Sequence, residues 1–230
     1  MKKVVGSFVL CWIISLTLAQ GETLVDVGNG IVGILNKPAD AQAAVLMLHG
    51  FGSQKDEVGN MYKNLAVALA EQNIASLRID FRGFGKSDGD TGSTTIDLQV
   101  EDARLAYDYL TKVKGIDANR IGVMGFSLGG GIAILSAIED AARYKSMVTW
   151  SSVGDFTKDM TGVVGQEAVD EAATDGVVGL DLGWRTIVLK QDFFSSLAAH
   201  NLASTVANYS GDFLSIAGSE DFSAAYAEDF

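Results

Sequence analysis

The sequence predicts an α/β domain: a mostly parallel β-sheet opened by an N-terminal antiparallel hairpin, with helices packed on both faces. Three observations carry this. Strand-like and helix-like segments alternate from residue 43 onward, the pattern of a parallel sheet whose crossovers are helices. Ala43-Ala-Val-Leu-Met-Leu48 is an unbroken apolar run, as expected of a strand buried on both faces. Upstream, Asn29-Gly30 sits between two apolar runs, the signal of a tight hairpin.

The elements follow in order. Thr23–Val27 and Ile31–Leu35 form the hairpin around Gly28-Asn29-Gly30. The strand 43–48 ends at His49-Gly-Phe-Gly52. Met61, Leu65, Ala68 and Leu69 recur at helical spacing and predict a helix over about 57–73. Strand Ile74–Ile79 leads into the glycine-rich loop 80–89. Ile96, Val100, Ala103, Tyr107, Leu110 and Val113 mark the next helix, with Thr94 or Thr95 as its cap. Strand Arg120–Met124, a small-residue helix and strand Ser146–Trp150 continue the alternation. Regularity breaks over about 151–201, where Gly162, Gly165, Gly176, Gly179 and Gly183 punctuate short segments; this reads as a cap inserted over the sheet. A helix over about 200–208 and a strand Phe213–Ala217 resume the pattern before Gly218-Ser-Glu-Asp221.

The N-terminus differs in kind. Met1-Lys2-Lys3 precedes an uncharged, mostly apolar run over 4–19 that ends in Thr17-Leu18-Ala19. This is the layout of a secretory signal peptide, and the run is shorter than the roughly 20 residues of a spanning helix. The expectation is a leader over 1–19 and one domain over 20–230, placed in the periplasm or outside the cell without stable membrane insertion. Removing the leader takes Lys2, Lys3 and Cys11 and no acid, so the net charge moves from −12 to −14 and no thiol remains. Disulfides, thiolate metal sites and a cysteine nucleophile are then excluded. With two histidines in the whole chain, neither a metal site nor a cofactor is expected. Strong acidity disfavours nucleic acid as a partner. A single proline, Pro38, is present, and glycines shape the loops instead.

The chemistry-bearing segment is Arg120-Ile-Gly-Val-Met-Gly-Phe-Ser127-Leu-Gly-Gly-Gly131. It reads as strand, G-x-S-x-G turn, then helix, the arrangement that holds a serine on a sharp, strained bend. The bare motif is weak, with about 0.2 chance matches in a chain of this composition, and its strand-to-helix context carries the specificity. An acyl-transfer nucleophile also needs backbone donors for the developing oxyanion. Leu128, at the helix start, and Phe51, in the loop after the strand 43–48, are the candidates. An acid belongs at the end of a later strand, where Asp221 is preferred to Asp155. His49 reads as a loop-supporting residue, with a base role as the alternative. His200 reads as a surface or capping residue.

Taken together, HGFGS at 49–53, DFRGFGKSDG at 80–89, NRIGVMGFSLGG at 119–130 and IAGSED at 216–221 resemble the α/β-hydrolase superfamily over residues 22–230. The likeness is nearest to bacterial carboxyl- and feruloyl-type esterases or serine aminopeptidase-like hydrolases. The resemblance implies Ser127 as nucleophile, Asp221 as triad acid, Phe51 and Leu128 as oxyanion donors, and a small ester or amide as substrate. It also implies a further strand, a histidine-bearing loop and a final helix beyond Phe230, so that this chain by itself should be nearly inactive. The second reading is a non-catalytic relative that uses the same pocket for binding.

Overall fold

The computed structural model describes residues 21–139 and 143–230; the leader expected over 1–19 lies outside them. Nine strands and eight α-helices are described: β1 (Glu22–Gly28), β2 (Ile31–Asn36), β3 (Ala43–Leu48), α1 (Met61–Glu71), β4 (Ile74–Ile79), α2 (Ile96–Lys112), β5 (Ile121–Phe126), α3 (Leu128–Glu139), β6 (Ser146–Trp150), α4 (Phe156–Val164), α5 (Gln166–Asp175), β7 (Val177–Asp181), β8 (Thr186–Lys190), α6 (Gln191–Ala198), α7 (Leu202–Val206), β9 (Asp212–Ile216) and α8 (Ala224–Asp229). Seven strands form one sheet in the order β1-β2-β4-β3-β5-β6-β9, and β7 and β8 pair separately. β1 is antiparallel to β2 and β2 to β4, whereas β4, β3, β5, β6 and β9 run parallel.

The hairpin turn closes as its sequence requires. Asn29 and Gly30 both take positive φ (53° and 78°), the backbone of a two-residue turn whose twist matches the strands. In the central strands, successive side chains feed opposite faces. Leu46 and Leu48 of β3 join the larger core, which also holds Ile96, Ala103 and Leu110 of α2 and Ile132 and Ala133 of α3. Met47 joins Tyr62, Met124, Met61 and Leu65 beneath α1 on the other face. A strand buried from both sides must read as continuously apolar, and β3 does.

Boundaries move where local chemistry decides them. Thr95 is the cap of α2, its hydroxyl accepting the Leu98 N–H at 3.1 Å. The helix expected over 57–73 starts at Met61, because Glu57, Gly59 and Asn60 all take positive φ and break the first turn. The helix expected over 200–208 is shorter, Leu202–Val206, with Asn201 as its cap. Residues 151–201 hold α4, α5, the β7–β8 hairpin and α6. That hairpin was not legible as a pair: its outer face keeps Val177 and Val188 exposed while Val178, Leu180, Ile187 and Leu189 are buried.

Two buried cations, Arg78 and Lys55, fasten the N-terminal half. Arg78 of β4 is wholly buried between Glu22 of β1 (2.7 Å) and Asp56 (2.6 Å). Lys55 pairs with Asp80 at 2.8 Å, and the Asp80 carboxylate also accepts the N–H groups of Lys55 and Lys86. Such pairs rely on these added hydrogen bonds to offset the cost of removing charge from water. At the far edge, β9 leaves Leu214 and Ile216 exposed.

The loop after β4 is pinned to α2. The Asp102 carboxylate accepts Arg82 N–H at 2.8 Å and the Arg82 guanidinium at 2.5 Å. Burial nevertheless pushes its carboxyl up to about 6, outweighing the hydrogen bonds and charge of Arg82 that pull the other way. In this case the folded form holds a proton that the unfolded chain has already lost. The stabilising contribution is therefore full below the ordinary carboxylate range, falls as pH rises, and is gone above about 6. Urea titrations of the protein and Asp102→Asn across pH 4 to 7 test this. The stability of the unsubstituted protein relative to the variant should decline between about 4 and 6, and a flat difference would refute the assignment.

Candidate active site

Ser127 occupies the bend between β5 and α3 with φ 54°, a left-handed conformation that costs a serine of order 1–3 kcal/mol. The surrounding glycines make the bend possible. A Cβ at Gly125 would lie 1.9 Å from the Gly129 carbonyl oxygen, and one at Gly129 would lie 2.2 Å from that of Leu48. The two backbones touch, so no side chain fits at either position. The Ser127 N–H donates to the Trp150 carbonyl (3.0 Å), and its own carbonyl accepts from Gly130 and Val153. These bonds hold the strained residue in place.

The loop after β3 crosses the bend. A Cβ at Gly50 would lie 3.2 Å from Ser127 Cβ. Glu57 clamps this loop: one carboxylate oxygen accepts Gly50 N–H at 2.5 Å and the other accepts Val58 N–H at 2.8 Å. With Gly50 committed, the Phe51 N–H has no partner among the described residues, and neither has the Leu128 N–H at the open end of α3. The Phe51 ring stacks on Phe193 of α6, with centroids 5.7 Å apart. The two expected oxyanion donors are thus unpaired backbone groups on adjoining segments.

Asp221 follows β9 and shares the end of β6 with Ser127. Trp150 accepts the Ser127 N–H, and the hydroxyl of the next residue, Ser151, lies near enough to Asp221 to help hold its carboxyl down. Ser151 itself has φ 44°, and its N–H bonds Ile216 of β9 at 2.7 Å. Slight burial pushes the Asp221 carboxyl up, but bonds from Ser223 N–H (2.9 Å), the Ser223 hydroxyl (2.8 Å) and Ser151 outweigh it, so the net position is below the ordinary value. Asp155, the alternative acid, is the cap of α4 and accepts Lys158 N–H at 2.9 Å.

Both histidines are engaged elsewhere. His49 is buried, with Nδ1 bonded to the Gly50 carbonyl (2.8 Å) and Nε2 accepting the Phe81 N–H (3.1 Å). Those partners fix the neutral tautomer, and burial lowers the pKa, outweighing the Gly50 bond that raises it. The ring packs between Phe81 and Phe84. His49 therefore supports the loop. His200 pairs with Asp97 of α2 at 3.0 Å and lies edge-on to Phe156. No group of acidic, histidine or cysteine side chains among the described residues is disposed to hold a metal ion. Nor is any helix among them long and apolar enough to cross a membrane.

The sequence reading missed Glu57 and Ser151. Glu57 acts through a positive φ that no sequence signal marks, and Ser151 matters only because β9 lies beside β6. A partial signal for Glu57 existed in its place a few residues beyond the HGFG turn.

A family model described as "Serine aminopeptidase, S33", of the Hydrolase_4 type, matches residues 39–174, which span β3, the Ser127 bend and α5. The chain belongs to this hydrolase family. Among solved structures, this hydrolase is similar to Est1E from Butyrivibrio proteoclasticus bound to ferulic acid, with a TM-score of 0.74 at 21% identity over 90% of this chain and 85% of that one. It is also similar to an esterase from Exiguobacterium antarcticum (TM-score 0.58, 17% identity, 89% and 85% covered). The fold is the α/β-hydrolase fold. Among curated relatives, an uncharacterized 31.7 kDa protein from the traX-finO intergenic region of Escherichia coli is 33% identical over 118 residues, 51% of this chain and 40% of that protein. A multifunctional-autoprocessing repeats-in-toxin protein of Vibrio vulnificus is 37% identical over 106 residues, 46% of this chain and 2% of the toxin. The hydrolase thus matches well under two thirds of either relative.

Proposed function

We propose that this protein is an exported serine hydrolase whose reaction is the cleavage of a small carboxylic ester through an acyl-enzyme on Ser127. The observation that carries the reading is the strained Ser127 beside two unpaired N–H groups, Phe51 and Leu128. Strain of this kind persists only where surrounding structure over-determines it, and it lifts the hydroxyl clear of the chain. The Ser127 oxygen bonds the ester carbonyl carbon while its proton passes to a base, a part that neither His49 nor His200 is placed to play. The two N–H groups hold the oxyanion, the ester C–O bond breaks, the alcohol leaves with that proton, and water then cleaves the acyl-serine to the acid. Asp221 is the acid that would orient and stabilise an imidazolium. The esterase neighbours, one of them holding ferulic acid, support an ester as substrate. Export rests on the leader over 1–19. A peptidase of the serine aminopeptidase kind is the second reading, favoured by the family model.

Covalent labelling tests the nucleophile without requiring turnover. A fluorophosphonate should modify the chain slowly and at one site, Ser127, as read by intact mass and peptide mapping, and Ser127→Ala should remain unmodified. Labelling that survives Ser127→Ala would overturn the assignment. Absence of labelling even with imidazole added, with ligand binding retained, would instead identify a non-catalytic relative.

A further inference from the structure

The tip of the β7–β8 hairpin, Leu182-Gly183-Trp184-Arg185, hangs over the outer side of the loop that carries Phe51. The turn is closed by Leu182 N–H donating to the Arg185 carbonyl at 2.9 Å. Leu182 packs so tightly on the loop that a Cβ at Gly52 would lie 2.6 Å from its Cδ1. The hairpin is held from behind, with Val188 N–H donating to the Thr91 hydroxyl at 2.9 Å. Between tip and loop lies a cleft of about 610 Å³, walled by Gly52, Gln54 and Val58 on one side and Trp184 and Arg185 on the other. That volume suits a small organic ligand.

Two features of the cleft point to what it takes. Trp184 and Val58 are 72% and 71% exposed, an indole and a branched side chain left in water on facing walls. Arg185 pairs with no carboxylate among the described residues, and its guanidinium lies over the Phe84 ring, 5.6 Å from the centroid. Glu57 also lines the cleft, but it is buried and both its carboxylate oxygens are taken by the N–H groups of Gly50 and Val58. In a chain of net charge −12, the cleft thus presents an aromatic wall beside a cation with donors to spare. We infer that this cleft binds a planar aromatic group carrying a negative charge, the ring stacked on Trp184 and the anion on Arg185. As a substrate subsite it rests on the ester-hydrolase reading above, since it opens beside Gly52, next to the proposed oxyanion donor Phe51; as a binding site it does not.

Calorimetric titration with 2-naphthoate and its uncharged counterpart 2-naphthamide tests the inference on the 230-residue chain. Naphthoate should bind about 5-fold more tightly than naphthamide, and Arg185→Gln should bring the two affinities together. Trp184→Ala should weaken both by about 10-fold. Ser127→Ala should change neither. Both varied side chains lie outside the core, and circular dichroism checks that the variants fold. Equal affinities in the unsubstituted protein, indifference to Trp184→Ala, or no binding of either compound would overturn the inference. Binding without fluorophosphonate labelling, imidazole included, leaves the cleft standing and removes the esterase reading; labelling without binding does the reverse.

Discussion

Added imidazole is expected to raise the hydrolysis of p-nitrophenyl acetate by this chain by about 10-fold or more above the imidazole background, and Ser127→Ala is expected to abolish that increment. The sequence has two histidines, and neither is available as a base for Ser127: His49 has both ring nitrogens committed to Gly50 and Phe81, and His200 is paired with Asp97. Ser127 nevertheless adjoins the loop of Phe51 and is bonded to the end of β6, whose next residue, Ser151, is bonded to β9, the strand that leads to Asp221. General-base assistance contributes roughly 10²- to 10⁴-fold in such reactions, and a freely diffusing base recovers part of it. Without imidazole, turnover should be close to background, with only the oxyanion contribution remaining. Asp221→Asn should reduce the imidazole-dependent increment less than Ser127→Ala, because the acid acts on the base and not on the carbonyl. Fast Ser127-dependent turnover without imidazole would refute this account, as would an imidazole effect indifferent to Ser127.

Gly125→Ala is expected to destabilise the fold by about 3 kcal/mol or more and to release the bend at Ser127. The added Cβ would sit 1.9 Å from a backbone oxygen in the first turn of α3. Flexible side chains yield to such contacts at small cost, whereas here β5 and α3 themselves must part. The larger core is built on that contact, because Val123, Leu128, Ile132 and Ala133 are buried on either side of it. Gly59→Ala is the control: nothing lies within 4 Å of its Cβ, so its cost comes only from the positive φ of 61°. Chemical denaturation should separate the two variants clearly, and equal stabilities would show that the bend relaxes freely.

Much of this architecture was legible in the chain. The continuous apolar run of β3 gave a two-faced central strand, because a strand with no polar alternation has no face to offer water. Asn29-Gly30 gave the hairpin, since few other pairs tolerate positive φ at both positions. G-x-S-x-G between strand and helix placed the bend at Ser127, and the glycines marked where backbones touch. Less was legible between β6 and α7. There the β7–β8 pair alternates over five residues each, too short for periodicity to separate strand from turn. The start of α1 was misplaced because Glu57 takes positive φ where its carboxylate reaches back to Gly50, a contact between separate segments.

By itself, then, the sequence determined the sheet, the bend and the residues that could react, because each follows from local backbone preference and from which face a side chain must bury. Only the tertiary structure decided how those residues are employed. It assigned His49 to the loop and His200 to Asp97, made Glu57 the clamp on Gly50, and tied Ser151 to β9, the strand that leads to Asp221. It also brought Trp184 and Arg185 over Gly52 to make a cleft. These are contacts between segments far apart in the chain, and their partners are fixed by packing geometry, which a linear order of residues does not contain.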